Sequence, residues 1–184
     1  MTRTIVIFDS KYGFTEQYAR WISAALGCPA VRRKDFDSAD FSSCETIIYG
    51  GGLYAGGVSG IRLLTEHWNQ LSGRNVVLFT CGLADPSDPD NAAHIRTSLS
   101  KALPAEMMEK IHLFHLRGGI DYARLNLKHK AMMAMLRRWL LRKDPGSLRI
   151  EDRQLLETYG KQIDFTSQSA IEPLIRLCIS LQES

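Results

Sequence analysis

Between an apolar run, Thr4-Ile5-Val6-Ile7-Phe8, and the first helical periodicity lies Asp9-Ser10-Lys11-Tyr12-Gly13-Phe14-Thr15. This turn gathers hydroxyls at Ser10, Tyr12 and Thr15 around one glycine. Hydroxyls and backbone N–H groups collected where a helix begins make an anion site, most simply for phosphate. The first-turn amides lack intrahelical partners, and the helix dipole favours negative charge there. No Gly-x-x-x-x-Gly-Lys-(Ser/Thr) occurs, and no Gly-x-Gly-x-x-Gly follows, so the turn is neither a Walker loop nor a dinucleotide fingerprint. The plainer alternative is a polar strand-to-helix turn capped by Thr15.

The elements that must position this turn follow from periodicity. Thr4–Phe8 has almost no polar face, as expected of a buried parallel strand. Glu16–Leu26 carries Tyr18, Trp21, Ile22, Ala25 and Leu26 mostly on one stripe and ends at Gly27. Ala30–Arg33 reads as a short edge strand, and the polar stretch 35–43 is anchored by Phe36 and Phe41. Glu45–Gly50 is a strand that breaks into a glycine-rich loop, 51–58, letting backbone pass close to something flat or bulky. A helix over 59–71 precedes a buried strand, Asn75–Thr80, and the loop 80–86. A helix over 88–103, stopped by Pro104, leads to a last strand, Ile111–Leu116, and a loop over 117–122. Alternating strands and helices predict a doubly wound α/β sheet of five parallel strands, with helices on both faces. Every unusual loop follows a strand, where such sheets bind ligands.

Ser10-Lys11-Tyr12-Gly13-Phe14-Thr15 resembles the phosphate loop of flavodoxins, (Thr/Ser)-x-(Thr/Tyr)-Gly-x-Thr, directly after the first strand. The resemblance extends over residues 3–122 and implies a flavodoxin-like fold with FMN as cofactor. In that family the loop holds the FMN phosphate through hydroxyls and amides, without a lysine clamp or a metal. The loops after the third and fourth strands grip the isoalloxazine ring. By place, Leu53-Tyr54-Ala55-Gly56 supplies the third-strand loop, with Tyr54 as the stacking residue, or else as a surface tyrosine of a flexible loop. Cys81-Gly82-Leu83 supplies the fourth-strand loop. That loop has no aromatic residue, which departs from two-sided stacking; Tyr122, after Gly118 and Gly119, is the candidate for the second side.

Residues 117–149 carry nine Lys/Arg against two aspartates, a local charge of +7 in a chain whose net charge is only +3. Leu125, Met132, Leu136, Trp139 and Leu140 fall on one helical face, with Met135 beside it and cations flanking or opposing it. Such a stripe suits an anionic membrane surface or a partner groove; equally, it packs on the domain and leaves its charges solvated. Arg117-Gly118-Gly119-Ile120-Asp121-Tyr122 followed by this helix resembles the menaquinone-dependent protoporphyrinogen dehydrogenases, flavodoxin-like FMN enzymes with an insertion after the last strand. That likeness implies a porphyrin substrate and a quinone acceptor. Residues 150–160 and 171–178 read as closing helices, so 1–184 is expected to form one domain with a basic helical insertion.

A hydrophobic share of 45% and a charged share of 23% are those of an ordinary globular chain. No signal peptide or membrane span is expected, and a charge of +3 is too slight to imply nucleic acid. Cys28, Cys44, Cys81 and Cys178 are scattered, as in core residues of a reducing cytoplasm, and no His/Cys/Asp/Glu cluster points to a metal. Three functions follow as expectations. The first is a cytoplasmic FMN oxidoreductase, peripheral to a membrane through 117–149, with a small-molecule or protein redox partner and no assigned catalytic acid or base. The second is a flavodoxin-type electron-transfer protein, against which the basic segment argues. The third is an interaction module that no longer binds FMN.

Overall fold

The computed structural model describes residues 3–54 and 56–183. β1 (Thr4–Asp9), β2 (Ala30–Arg32), β3 (Thr46–Tyr54), β5 (Asn75–Gly82) and β6 (His112–Arg117) form a parallel sheet in the order β2-β1-β3-β5-β6. A two-residue strand, β4 (Gly57–Val58), folds back antiparallel on the end of β3. In register, Val6 lies beside Ile48, and Ile48 beside Val77. The order doubles back beside β1, so the chain departs in opposite directions from β1 and β3 and leaves a crevice at their carboxyl ends.

Strand alternation decides which helices cover which face. Ile5, Ile7, Ile47, Tyr49, Val76 and Leu78 point to one side. There the turn 38–43, α2 (Arg62–Glu66), α3 (Trp68–Leu71), α4 (Pro89–Ala102) and α5 (Ala105–Lys110) contribute Phe41, Leu64, Leu71, Leu99 and Met107. Val6, Phe8, Ile48, Val77 and Phe79 point to the other side. These meet Tyr18 and Ile22 of α1 (Phe14–Leu26) and Leu174 and Cys178 of α8 (Glu172–Glu183). The expected five-stranded sheet with helices on both faces is thus present. No helix of the described residues is long and apolar enough to cross a membrane.

Four local readings are corrected. Gly51-Gly52-Leu53-Tyr54 continue β3 instead of opening a loop, and the bulky neighbours that the glycines make room for are the protein's own. A side-chain carbon on Gly52 would fall 2.6 Å from the Tyr54 ring. The helix expected over 59–71 is two short pieces that meet at His67. Residues 117–122 are not a loop: β7 (Gly119–Asp121) pairs antiparallel with β8 (Gln162–Asp164), and the Phe165 amide donates to the Gly118 carbonyl at 3.0 Å.

The fourth correction concerns the basic helix, α6 (Leu127–Leu140), whose expected stripe divides. Leu125 precedes the helix and is buried, as is Leu140, whereas Met135, Leu136 and Trp139 are exposed. Asn126 caps α6 through Oδ1, which accepts from the His129 amide at 2.8 Å. That cap starts the helix after Leu125. The helix packs on α7 (Ile150–Thr158), meets the β7–β8 pair through Met133, and leaves its other side open.

Candidate functional site

At the carboxyl end of β1 the chain enters α1 through Gly13, whose φ of 100° is left-handed and easy only for glycine. No described side chain caps α1, and its first helical bond runs from the Gln17 amide to the Gly13 carbonyl at 2.9 Å. The first-turn amides therefore face the turn without a side-chain acceptor, as an anion site requires. Ser10 Oγ accepts from the Gly13 amide at 3.1 Å and shapes the turn from within. Thr15 lies inside the first turn, not at the cap, and is buried with its hydroxyl bonded to Cys81. The Lys11 amide donates to the Tyr54 hydroxyl at 3.2 Å, and its ammonium lies 4.9 Å from the Tyr54 ring centre. The turn and the end of β3 thus form one unit.

Beside the turn a cleft of about 150 Å³ opens. Tyr12, Phe14 and Thr15 line it from the turn, Leu53 and Tyr54 from β3, and Cys81, Gly82 and Leu83 from the end of β5. Gly118 and Gly119 line it from the segment after β6. The structure thus brings ten of the sequence-derived candidates to one cleft. Ser10, Lys11 and Gly13 shape the turn without lining the cleft. Gly56 occupies an exposed left-handed turn away from it, and Ala55 lies outside the described residues. Tyr122 is a correction: it is buried against Tyr159, with ring centres 4.8 Å apart, and does not line the cleft. The pairing of β7 with β8 places Tyr122 in the small core that backs the cleft lining, behind Ile120 and Leu125.

The insertion completes the lining with Leu125, His129, Met132 and Met133, joined by Ile120 of β7. His129 is stacked on Tyr54, with ring centres 5.5 Å apart and planes 13° from parallel. Its Nδ1 lies 2.5 Å from the Tyr12 hydroxyl. Arg124 Nη1 donates to the Tyr12 carbonyl at 3.2 Å, which sets a cation beside the turn. The sequence reading missed His129 and Arg124. The available signal was the i, i+3, i+4 spacing of His129, Met132 and Met133, which aligns them on one helix face.

The cleft is apolar, and burial favours the neutral forms of Cys81, Tyr54 and His129. Burial pushes the Cys81 thiol and the Tyr54 hydroxyl each up to about 12. Burial, then the cations of Lys11 and Lys128, hold His129 below the ordinary histidine value. With the imidazole neutral, we assign the Tyr12 hydroxyl as donor to Nδ1, which leaves the ring hydrogen on Nε2. Arg117 fixes the Leu83 wall: its Nε donates to the Leu83 carbonyl at 3.4 Å, and Nη1 pairs with Asp85 at 3.0 Å. The arrangement sets helix amides with no side-chain acceptor at one end and an apolar cleft at the other.

Residues 5–146 match the family described as "Flavodoxin domain". No curated protein matches the chain. Among solved structures, the chain is similar to a flavodoxin from the domain Archaea, at 13% identity over 63% of this chain and 83% of that one, with a TM-score of 0.42. Oxidised flavodoxin 1 from Bacillus cereus is similar at 14% identity over 63% and 84%, with a TM-score of 0.41. The Trp repressor binding protein from Bacillus subtilis is similar at 15% identity over 63% and 83%, with a TM-score of 0.42.

Proposed function

The chain belongs to the flavodoxin domain family, and from that premise we propose that it is an FMN-dependent oxidoreductase, similar to the protoporphyrinogen dehydrogenases that pass electrons to a quinone. The residues present fit FMN. The uncapped α1 amides and the Ser10–Thr15 turn suit its phosphate, and the apolar cleft bounded by Tyr54, Leu83 and the segment after β6 suits its ring. When bound, the flavin supplies the redox chemistry, taking electrons from one partner and giving them to the next. The protein's own groups would bind and orient it: the amides of the turn and the first turn of α1 would hold the phosphate, Tyr54 would hold the ring, and the Arg117–Leu83 bond keeps the fourth-strand wall in place.

The observation that carries the enzyme reading over that of a plain electron carrier is the double role of α6. One side of this helix lines the cleft through His129, Met132 and Met133. The other exposes Met135, Leu136 and Trp139, with Trp139 about half exposed at 55%. Arg138 and Arg142 border that patch, and the Lys143 ammonium lies 3.7 Å from the Trp139 ring centre. An apolar patch rimmed by cations suits an anionic membrane surface that holds a quinone, or the propionates of a porphyrin. Next to the cleft, and sharing Leu83 and Met133 with it, is a second cavity of about 300 Å³ between α6 and α7. It offers room for an apolar electron partner beside the flavin.

The test is oxidation of protoporphyrinogen by the FMN-loaded protein with a quinone acceptor in anionic vesicles. The porphyrinogen gives up hydrogens and electrons, and the quinone takes them up as quinol. Turnover supports the proposal. Loaded protein that exchanges electrons with protein partners but leaves porphyrinogen and quinone unchanged returns the chain to the electron-carrier reading.

A further inference from the structure

The cleft is narrower than its contents require, and the residues that narrow it come from the insertion. Tyr54 and His129 are close to parallel, and their ring centres are 5.5 Å apart. A flat ring held between two such walls needs a stacking gap on each side, together about 7–8 Å. The whole cleft, at about 150 Å³, is likewise below the roughly 300 Å³ at which ligand pockets begin. Leu83, at the tip of β5, provides no aromatic wall opposite Tyr54, whereas His129 provides one already parallel to it.

At the anion end the insertion again supplies a group, a guanidinium beside Gly13, whereas the turn's own Lys11 ammonium lies 4.9 Å from the Tyr54 ring centre. Arg124 Nη1 is held by the Tyr12 carbonyl at 3.2 Å, and lies 3.9 Å from where a Gly13 side-chain carbon would sit. Tyr12 itself connects the two ends: its hydroxyl meets His129 Nδ1 and its carbonyl meets Arg124. One residue of the phosphate turn is thus gripped by the insertion from both sides.

We propose that the insertion is part of the cofactor site and closes over it, His129 forming the second ring wall opposite Tyr54 and Arg124 adding a cation at the phosphate. Admitting the ring means that α6 moves outward, so that Tyr54 and His129 become the two sides of a sandwich. The exposed Met135–Trp139 face lies on the same helix.

This inference rests on the FMN reading, and two variants separate the two. Full-length protein freed of flavin is titrated with FMN and with riboflavin, which lacks the phosphate, following flavin emission. Arg124→Gln is expected to weaken FMN by about tenfold and leave riboflavin within about twofold, since it removes a charge-assisted contact to the phosphate alone. His129→Ala is expected to weaken both ligands alike, by about three- to tenfold, and to raise the emission of bound flavin. His129→Phe, which keeps a ring but loses the bond to Tyr12, is expected to recover most of the affinity and the quenching. Unfolding midpoints close to the parent's establish that each variant is folded. Parent protein that binds neither ligand overturns both the FMN reading and this inference. Parent that binds FMN while Arg124→Gln or His129→Ala binds both ligands as the parent does overturns the inference and leaves the FMN reading standing.

Discussion

Arg117 at the end of β6 reaches Asp85 in the loop after β5, with Nη1 and Oδ2 3.0 Å apart, and so ties together two strand ends that wall the cleft. The same guanidinium lies 3.9 Å from the ring centre of Phe165, just beyond β8, and donates to Gln154 of α7 at 3.3 Å. One partly buried arginine thus locks the β7–β8 pair and α7 to the main sheet. Arg117→Gln is expected to lower stability by about 1–2 kcal/mol, more than the usual exposed ion pair, because a cation–π contact and further hydrogen bonds are lost with it. Urea unfolding measures this. A midpoint equal to the parent's would show that the lock contributes nothing.

The Ser10–Thr15 turn is expected to act on the phosphate alone. Ser10→Ala removes the acceptor that shapes the turn at Gly13, and Thr15→Ala removes a buried hydroxyl that fixes the first turn of α1 against Cys81, so both displace the amides that face the anion. Together they are expected to weaken FMN by about 1–3 kcal/mol while riboflavin scarcely changes. Calorimetric titration with both ligands separates the outcomes. Equal weakening of the two would place the phosphate elsewhere.

His115 on β6 makes stability depend on pH. Burial, then the nearby Arg96 cation, hold its imidazole below the ordinary histidine value, and Nδ1 lies 2.8 Å from Thr80 Oγ1. With the folded value below the unfolded one of about 6.5, the unfolded chain binds the extra proton. Stability is therefore complete above about pH 6.5 and falls as pH drops from there toward the folded value. His115→Gln is expected to flatten this fall below about pH 6.5, read from unfolding midpoints as the pH is lowered. A fall of the same size in the variant would assign it to other groups.

The outward face of α6 is expected to bind anionic vesicles better than neutral ones. Salt should weaken that binding, because exposed charges are screened over about 8–10 Å near physiological ionic strength. Arg137 is the wrong residue for this test, since its guanidinium lies 4.9 Å from the Tyr159 ring centre, and Arg138, Arg142 and Lys143 are the right ones. Replacing those three with Gln, or Trp139 with Ser, is expected to abolish vesicle binding in a flotation assay. If the variants float as the parent does, this face has no part in it.

How much of this was legible in the sequence depended on how local the signal is. β1 could be read because Ile5, Ile7, Val6 and Phe8 fill both faces of a central strand. The turn at Gly13 could be read because its residue types are set by one strand end and one helix start. β3 was cut short because glycine normally marks a loop, and only the Tyr54 ring folded against Gly52 shows why the strand continues through it. The pairing of Gly119 with Asp164 lay beyond reach, since three-residue strands carry no periodicity and their partners lie far apart in the chain. For the same reason Tyr122 was assigned to the cleft and His129 was not. Which ring faces Tyr54 is decided by how α6 folds back on the cleft, and the spacing of His129, Met132 and Met133 marks a helix face without marking what that face meets.

The most direct test of FMN binding at this cleft is the pair of affinities of the flavin-free protein for FMN and riboflavin, measured by flavin emission in one buffer. FMN is expected to bind one per chain, with its emission quenched against Tyr54, and riboflavin to bind at least about tenfold more weakly for want of the phosphate. Absence of FMN binding, or equal affinity for the two ligands, would contradict a phosphate site at Ser10–Thr15 and with it the flavin reading of the cleft.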